Sequence, residues 1–249
     1  ILLIVALGAL ISERSGILNI GLEGMIAVGA FTAIAVVTAG APIAFALVIA
    51  ALAGVVPALI FAVFVLRWNA NQFIVGLAIN VLAAGVIPLV SEILYSSRGA
   101  IRPGIDGVDS FVIIALGIAL LVGTHTFLYY TVPGIRLRVA GEEPSWLRAQ
   151  RLGVRRYRLV GLVSSGAFAA LAGGTLALRI GVYLPNISSG RGWIALVIVF
   201  LGYRTPAGLA IAALFFGVTD ALAVRAQSVL GVPPTVLLAL PYILTVVAF

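Results

Sequence analysis

The fold of this chain is decided by the stretch PGIRLRVAGEEPSWLRAQRLGVRRYR, residues 133–158, which is its longest polar interval. The interval carries seven arginines and two acidic residues, Glu142 and Glu143, and apolar runs long enough to cross a bilayer lie on both sides. Positive charge beside membrane spans marks the cytoplasmic face. We therefore predict that this interval is cytoplasmic, and the side of every other connection follows by counting crossings from it.

The composition predicts an all-α membrane protein. Of the 249 residues, 63% are hydrophobic and 9% are charged, which leaves no room for a soluble domain. Apolar runs near 20 residues that are rich in Gly and Ala favour helices over a β-barrel. The net charge of +7 comes from arginines in the connections, so it indicates membrane orientation and not nucleic-acid binding. We predict one transmembrane domain, residues 1–249, with about eight membrane segments.

Two of these segments are unusual. Residues 1–11 are too short to span, and we interpret them as the end of a first helix. Only ten residues, 192–201, precede the GYRTP turn, which predicts a half-crossing or a strongly tilted helix. The other apolar runs are 25–39, 42–66, 73–94, 111–132, 159–180, 207–224 and 232–249, with 12–21 and 67–72 inside and 39–42, 95–110 and 181–191 outside.

The sequence SERSGILNIGLEG, residues 12–24, is a polar patch between two apolar runs. Irregular backbone at membrane depth is tolerated where protein or a water-filled cavity surrounds it. We therefore predict a broken helix that lines a pathway. Glu13 and Arg14 can neutralise each other, and Glu23 can sit at the positive end of the helix that continues through Met25. Asn80, in the middle of a span, either faces a substrate or bonds a neighbouring helix.

Within the arginine-rich interval we predict a short amphipathic helix. Trp146, Leu147 and Leu152 would form its apolar side, Arg148 and Arg151 would stay solvated, and Gly153 would end it. Such a helix suits the groove of a cytosolic partner. The alternative is a topogenic charge cluster that lies on anionic lipid, and charge alone favours this second interpretation.

Small residues at every fourth position predict close helix packing. They form one stripe at Gly166, Ala170 and Gly174, and another at Ala213, Gly217 and Ala221.

The residues present argue against catalysis by this chain. It has one His and no Cys, so His-metal clusters, zinc-thiolate sites and thiol chemistry are excluded. It has no Lys, so a phosphate-binding GxxxxGK[ST] loop is excluded as well. We predict that it is not an enzyme and binds no metal or cofactor. An ion-coupled secondary transporter of a small polar solute stays open as an alternative, although the middles of the long spans supply no carboxylates for it.

Three stretches resemble the permease subunits of ABC importers of the branched-chain amino acid and ribose type. LISERSGILNIGLEGM, residues 10–25, resembles the signature of the nucleoside branch, whose permeases work with a Bmp-type lipoprotein. AGEEPSWLRAQRLGVRRYRLVGLVSSGAFAALAGGTLAL, residues 140–178, is similar to the family's cytoplasmic coupling loop and the span after it. SSGRGWIALVIVFLG, residues 188–202, resembles a further family segment.

This resemblance implies an ATP-driven importer of nucleosides or related simple sugars in the inner membrane of a bacterium or archaeon. The implied partners are ABC ATPase subunits through which ATP and Mg act, a second identical or paralogous permease, an extracytoplasmic substrate-binding lipoprotein and membrane lipid. In the coupling loop, residues 134–158, it implies docking through Glu142, Glu143, Trp146, Leu147, Arg148, Arg151 and Gly153. We expect a substrate pathway near Asn19, Glu23, Asn80, Asn186, Ser189, Arg191 and Trp193.

Overall fold

The structure, a computed structural model, describes residues 1–104 and 107–230, and these residues are helical with no strand among them. The predicted span at 232–249 lies outside the described residues. The helices are α1 Leu2–Arg14, α2 Leu22–Thr38, α3 Ile43–Ala62 with a π-helical turn Val63–Arg67, α4 Gln72–Tyr95, α5 Ser110–Tyr130, α6 Val132–Glu142, α7 Pro144–Ala149, α8 Val154–Ile180, α9 Arg191–Leu201 and α10 Pro206–Leu230.

Four helices are long and apolar enough to cross a membrane: α3 with its π turn, α4, α5 and α8. Shorter apolar helical stretches are α2, α9 and Pro206–Leu222 of α10. The predicted all-α, multi-pass membrane bundle is confirmed, whereas the count of eight segments stays a prediction. The four long helices differ in how much of their apolar stretch is buried inside the protein. The buried share is 61% in α8, but only 28% in α3 and in α4 and 22% in α5. The helix that follows the arginine-rich interval is therefore the central one.

Small side chains let three helices approach α8 closely. On α8, Gly166 faces the backbone of Gly54 in α3, and Ala170 lies between Gly54 and Gly29 of α2. A methyl group added at Gly174 would lie 3.0 Å from Ala50 and 3.1 Å from Ala33. The first small-residue stripe thus lies between α2 and α3. Helix α1 packs on the N-terminal half of α8, around Gly161 and Ser165. Helices α1 and α2 both pack on α8 and make little contact with each other.

The second stripe, on α10, is only partly covered by other helices in the described chain. Ala213 is buried, but Gly217 and Ala221 are exposed, and a methyl group added at Gly217 would meet nothing within 4 Å. These three residues line a cavity of about 690 Å³ between α10, α5 and the start of α1. Spacing every fourth residue places side chains on one face of a helix, but it does not bring a second helix to that face.

The arginine-rich interval is not a loop, since it consists of α6, α7 and the first turns of α8. Helix α7 is the predicted short helix, but Leu147 is fully buried while Trp146 is half exposed, so the two do not share an apolar face. Adjacent positions on a helix point about 100° apart. Gly153 does not end α7; it is the N-cap residue of α8. Helix α7 ends at Ala149, and Arg151 follows in a left-handed conformation with φ 59°.

We predict that Gly29→Ala destabilises the fold. A methyl group at Gly29 would overlap the backbone of Ala170, so α2 and α8 must separate. Overpacking of this kind costs about 1–3 kcal/mol, which thermal unfolding of the detergent-solubilised protein would record as a lower midpoint. Gly85→Ala in α4 is the matched control, because nothing lies within 4 Å of its added methyl group. Equal midpoints for the two variants would contradict the close contact of α2 with α8.

Candidate substrate cavity and coupling surface

The chain is interrupted between the end of α1 at Arg14 and the start of α2 at Leu22, and most of this break is buried. Side chains supply the bonds that a continuous helix would have made. The hydroxyl of Ser12 donates to the carbonyl of Ile17 at 3.0 Å, and the amide nitrogen of Leu18 donates to Oε1 of Gln72 at 3.2 Å. The break is therefore a defined structure held by its neighbours.

The most specific of these bonds come from Asn80 in α4. Its Oδ1 accepts from the amide nitrogen of Gly24 at 2.9 Å, and its Nδ2 donates to the carbonyl of Ile20 at 3.0 Å. Gly24 and Ile20 are four positions apart, so an uninterrupted helix would bond them to each other. The side-chain amide stands in for that missing bond. Both of its polar groups are used, as the bonding alternative for Asn80 predicts.

Asn19 holds the same break to α8. It is completely buried, its Nδ2 donates to the hydroxyl of Ser165 at 3.0 Å, and its Oδ1 accepts from the amide nitrogen of Gly21 at 3.0 Å. These bonds fix the start of α2 against the middle of the central helix.

Glu23 connects the first turn of α2 to the N-terminus of α9. Its Oε1 accepts from the amide nitrogen of Gly190 at 2.6 Å and its Oε2 accepts from that of Gly192 at 2.7 Å. A carboxylate is favourable at a helix N-terminus because free N–H groups and the helix dipole both attract it. The sequence predicted this capping for the helix of Glu23 itself; the structure uses it for a different helix.

A cavity of about 340 Å³ lies between α2, α4 and the segment 181–190. Three residues predicted to approach a substrate line it: Glu23, Asn80 and Asn186. Most of the remaining wall is apolar or small, and the full lining consists of Glu23, Gly24, Ala27, Asn80, Ala83, Ala84, Ile87, Pro88, Tyr183, Pro185, Asn186 and Ser188.

The other predicted pathway residues lie elsewhere, since Asn19, Ser189, Arg191 and Trp193 are not part of this lining. Ser189 donates to the carbonyl of Asn186 at 3.0 Å, and Nη1 of Arg191 donates to the carbonyls of Ile187 and Ser188 at 3.2 and 3.3 Å. Trp193 points out of α9 and is 41% exposed.

Tyr183 lines the cavity, although the sequence analysis did not single it out. It exchanges two backbone bonds with Ile101, each of 3.0 Å, and its ring packs edge-on against Phe31 with ring centres 5.5 Å apart. Its partners are remote in the chain, so no local pattern could have identified it.

An ion-pair network lies at the C-terminal end of α1, directly before the break. Arg14 binds Glu142 of α6 at 2.5 Å and donates to the carbonyl of Arg204 at 2.8 and 3.0 Å. Arg204 in turn binds Glu13 at 3.0 Å. The predicted pairing of Glu13 with Arg14 is thus replaced by two longer-range pairs. Together they join the ends of α1 and α6 to the turn between α9 and α10.

The candidate coupling surface is formed by Glu143, Trp146, Arg148 and Arg151, which are all exposed. Leu147 is fully buried and anchors α7 beneath them. An exposed indole beside two cations and a carboxylate offers both apolar and charged contacts to a partner.

The sequence family described as the permease component of the branched-chain amino acid transport system matches residues 1–249. The guanosine ABC transporter permease protein NupQ of Bacillus subtilis is 32% identical, over 99% of this chain and 86% of NupQ. The putative glucose ABC transporter permease protein TsgC13 of Haloferax volcanii is 30% identical, over 92% of this chain and 75% of its own. The nucleoside ABC transporter permease protein NupC of Lactococcus lactis is 26% identical, over 99% and 86%. No solved structure matches the chain significantly.

We predict that Asn80→Leu destabilises the protein by about 2–6 kcal/mol. The change leaves the N–H of Gly24 and the carbonyl of Ile20 without their partner, and each such buried group costs about 1–3 kcal/mol. Asn71→Leu is the control, since Asn71 makes one exposed capping bond to Phe73 and its loss costs about 1 kcal/mol. Thermal unfolding in detergent measures both, and an equal loss would show that Asn80 does not hold the break.

Proposed function

The chain belongs to the family of permease components of branched-chain amino acid transport systems, and on that premise we propose that it forms the membrane pathway of an ATP-driven importer of nucleosides. It is a permease subunit of an ABC importer for nucleosides or sugars. The finer assignment to nucleosides, and each step of the mechanism below, is our proposal.

The cavity between α2, α4 and the segment 181–190 is the observation that carries this proposal. Its volume of about 340 Å³ lies in the range of small-molecule sites, roughly 300–1,000 Å³. A nucleoside combines a flat base with a polar sugar. The apolar wall at Ile87 and Pro88 suits the base, and Asn186 and Ser188 offer polar groups to the sugar. The carboxylate of Glu23 is already engaged by α9, which suits a neutral solute.

A simple sugar is the second candidate, because one relative is named as a putative glucose permease. A sugar presents hydroxyl groups on all sides and favours a polar lining. The lining here contains seven Ala, Gly, Ile and Pro residues beside four polar side chains and a tyrosine. This wall favours a solute that has an extended apolar face.

Transport also requires a link to ATP hydrolysis, which we assign to separate ABC ATPase subunits that use ATP and Mg. We propose that they dock on Glu143, Trp146, Arg148 and Arg151. The pair Arg14–Glu142 ties α6 to α1, and Arg14 also holds the carbonyl of Arg204 before α10. Movement of α6 and α7 by the ATPase would therefore displace the end of α1, directly before the break that Asn19 and Asn80 hold.

The remaining parts follow from the same assignment. A second permease, identical or paralogous, would complete the pathway, and an extracytoplasmic lipoprotein would deliver the substrate to a bacterial or archaeal inner membrane. Helix α9 has 11 residues, about 16 Å, which is half of the roughly 30 Å hydrocarbon core. We propose that α9 is the half-crossing and that Glu23 holds its N-terminal end in place.

We predict that Ala84→Trp blocks uptake by filling the cavity. The full chain, reconstituted in proteoliposomes with its ATPase and binding protein, should accumulate labelled guanosine in an ATP-dependent manner, and unlabelled nucleosides should compete better than glucose. Ala84→Trp should reduce this uptake at least tenfold. Ala78→Trp is the control, because Ala78 is exposed on the same helix but does not line the cavity.

Three outcomes would contradict parts of this proposal. Uptake driven by an ion gradient without ATP would identify a secondary transporter. Glucose competing better than nucleosides would favour the sugar assignment. Equal activity of the two tryptophan variants would remove the cavity from the pathway.

We predict that the double variant Arg148→Glu, Arg151→Glu abolishes substrate-stimulated ATP hydrolysis. Both side chains are exposed on the proposed docking surface. Reversing their charge would place like charges opposite each other across the interface, and the resulting repulsion would prevent docking. The control Arg102→Glu, Arg179→Glu reverses two exposed arginines that lie far from α7 in the chain. Unchanged stimulation in the first variant, or an equal loss in both, would remove the docking assignment.

A further inference from the structure

A groove at the end of α3 is separate from the cavity and from the coupling surface. It has a volume of about 300 Å³ and lies between the π-helical turn after α3 and the start of α8. Its floor is apolar and includes Leu59, Val63 and Leu159. Arg67, Arg155 and Arg156 also line it.

Among the described residues, no acidic side chain pairs with these three arginines. All three are exposed, and the ion pairs of the described residues, Arg14–Glu142, Arg98–Glu92 and Arg204–Glu13, do not include them. Three cations gathered around one apolar groove repel each other, and a bound anion relieves that repulsion. The groove therefore matches a ligand that has an anionic head and an apolar body.

The position of the floor decides which ligand this is. Leu59 and Val63 are 43% and 46% exposed on α3 and its π turn, and Leu159 is 37% exposed on α8. These side chains belong to two helices long enough to span the membrane, so their exposed faces lie toward acyl chains. Arg67 ends the π turn, and Arg155 and Arg156 lie in the first turn of α8. The charge pattern places both of these helix ends at the cytoplasmic side. A cytosolic protein would reach the arginines but not the floor.

We propose that this groove binds an anionic phospholipid of the cytoplasmic leaflet, with its phosphate between Arg67, Arg155 and Arg156 and an acyl chain along the floor. Basic pockets between membrane helices on the cytoplasmic side recognise such headgroups. The π turn contributes because it alters the usual helical spacing just before Arg67, and π turns occur frequently at functional sites. Bound lipid would link α3 to the start of α8, directly after the coupling surface.

Trp68 follows the groove in the sequence and packs on Phe64 with ring centres 4.7 Å apart, so it can report on a bound acyl chain. The chain has three tryptophans, and replacing Trp146 and Trp193 with Phe leaves Trp68 as the only one. In vesicles of phosphatidylcholine we expect brominated phosphatidylglycerol to quench Trp68 with an apparent affinity roughly fivefold above that of brominated phosphatidylcholine. Soluble glycerol phosphate should not compete, because it has no acyl chain.

In the same background, Arg155→Gln with Arg156→Gln should remove the preference for phosphatidylglycerol, and Arg67→Gln alone should reduce it. The matched control is Arg102→Gln with Arg179→Gln, which loses the same charge away from the groove. Thermal unfolding of each variant ensures that only folded protein is compared. Equal quenching by the two lipids, a preference that survives in the groove variants, an equal loss in the control, or full competition by glycerol phosphate would overturn the site.

Discussion

Backbone hydrogen bonding in a medium without water is the constraint on which this structure depends. A helix interrupted between Arg14 and Leu22 frees N–H and carbonyl groups, and each costs several kcal/mol if it stays unpaired in hydrocarbon. Side chains pair with these groups. Asn80 of α4 bridges Gly24 and Ile20, and Asn19, itself held by Ser165, accepts from the amide nitrogen of Gly21. The polar residues of the break therefore have a structural role.

The central helix α8 makes this arrangement possible. Its glycines and alanines let α2 and α3 approach until backbone touches backbone, as at Gly29 with Ala170 and at Gly54 with Gly166. Van der Waals packing of this kind drives helix association in membranes. Lipid tails are as apolar as the helix surfaces, so the hydrophobic effect does not bring the helices together. Since α1 and α2 both rest on α8, the break between them lies beside its middle.

Much of the fold was predictable, because a membrane helix is recognised by the length of its apolar run and its ends are recognised by flanking charge. The span expected at 73–94 is Gln72–Tyr95, and the one expected at 111–132 is Ser110–Tyr130. The polar patch at 12–24 is the predicted break. Gly153 could not be assigned correctly, because a glycine between two short polar helices can end one or begin the other. Tyr183 was missed because its partners Ile101 and Phe31 are remote in the chain.

The sequence by itself determined the class of molecule and the place where the chain breaks between its first two helices. These properties follow from local composition, since the bilayer sorts each segment by its own polarity. The tertiary structure alone decided that Glu23 caps α9, that Arg14 pairs with Glu142 and that Asn19 points away from the cavity. These contacts depend on which distant helix lies within hydrogen-bonding distance. The sequence around a polar side chain does not identify its partner.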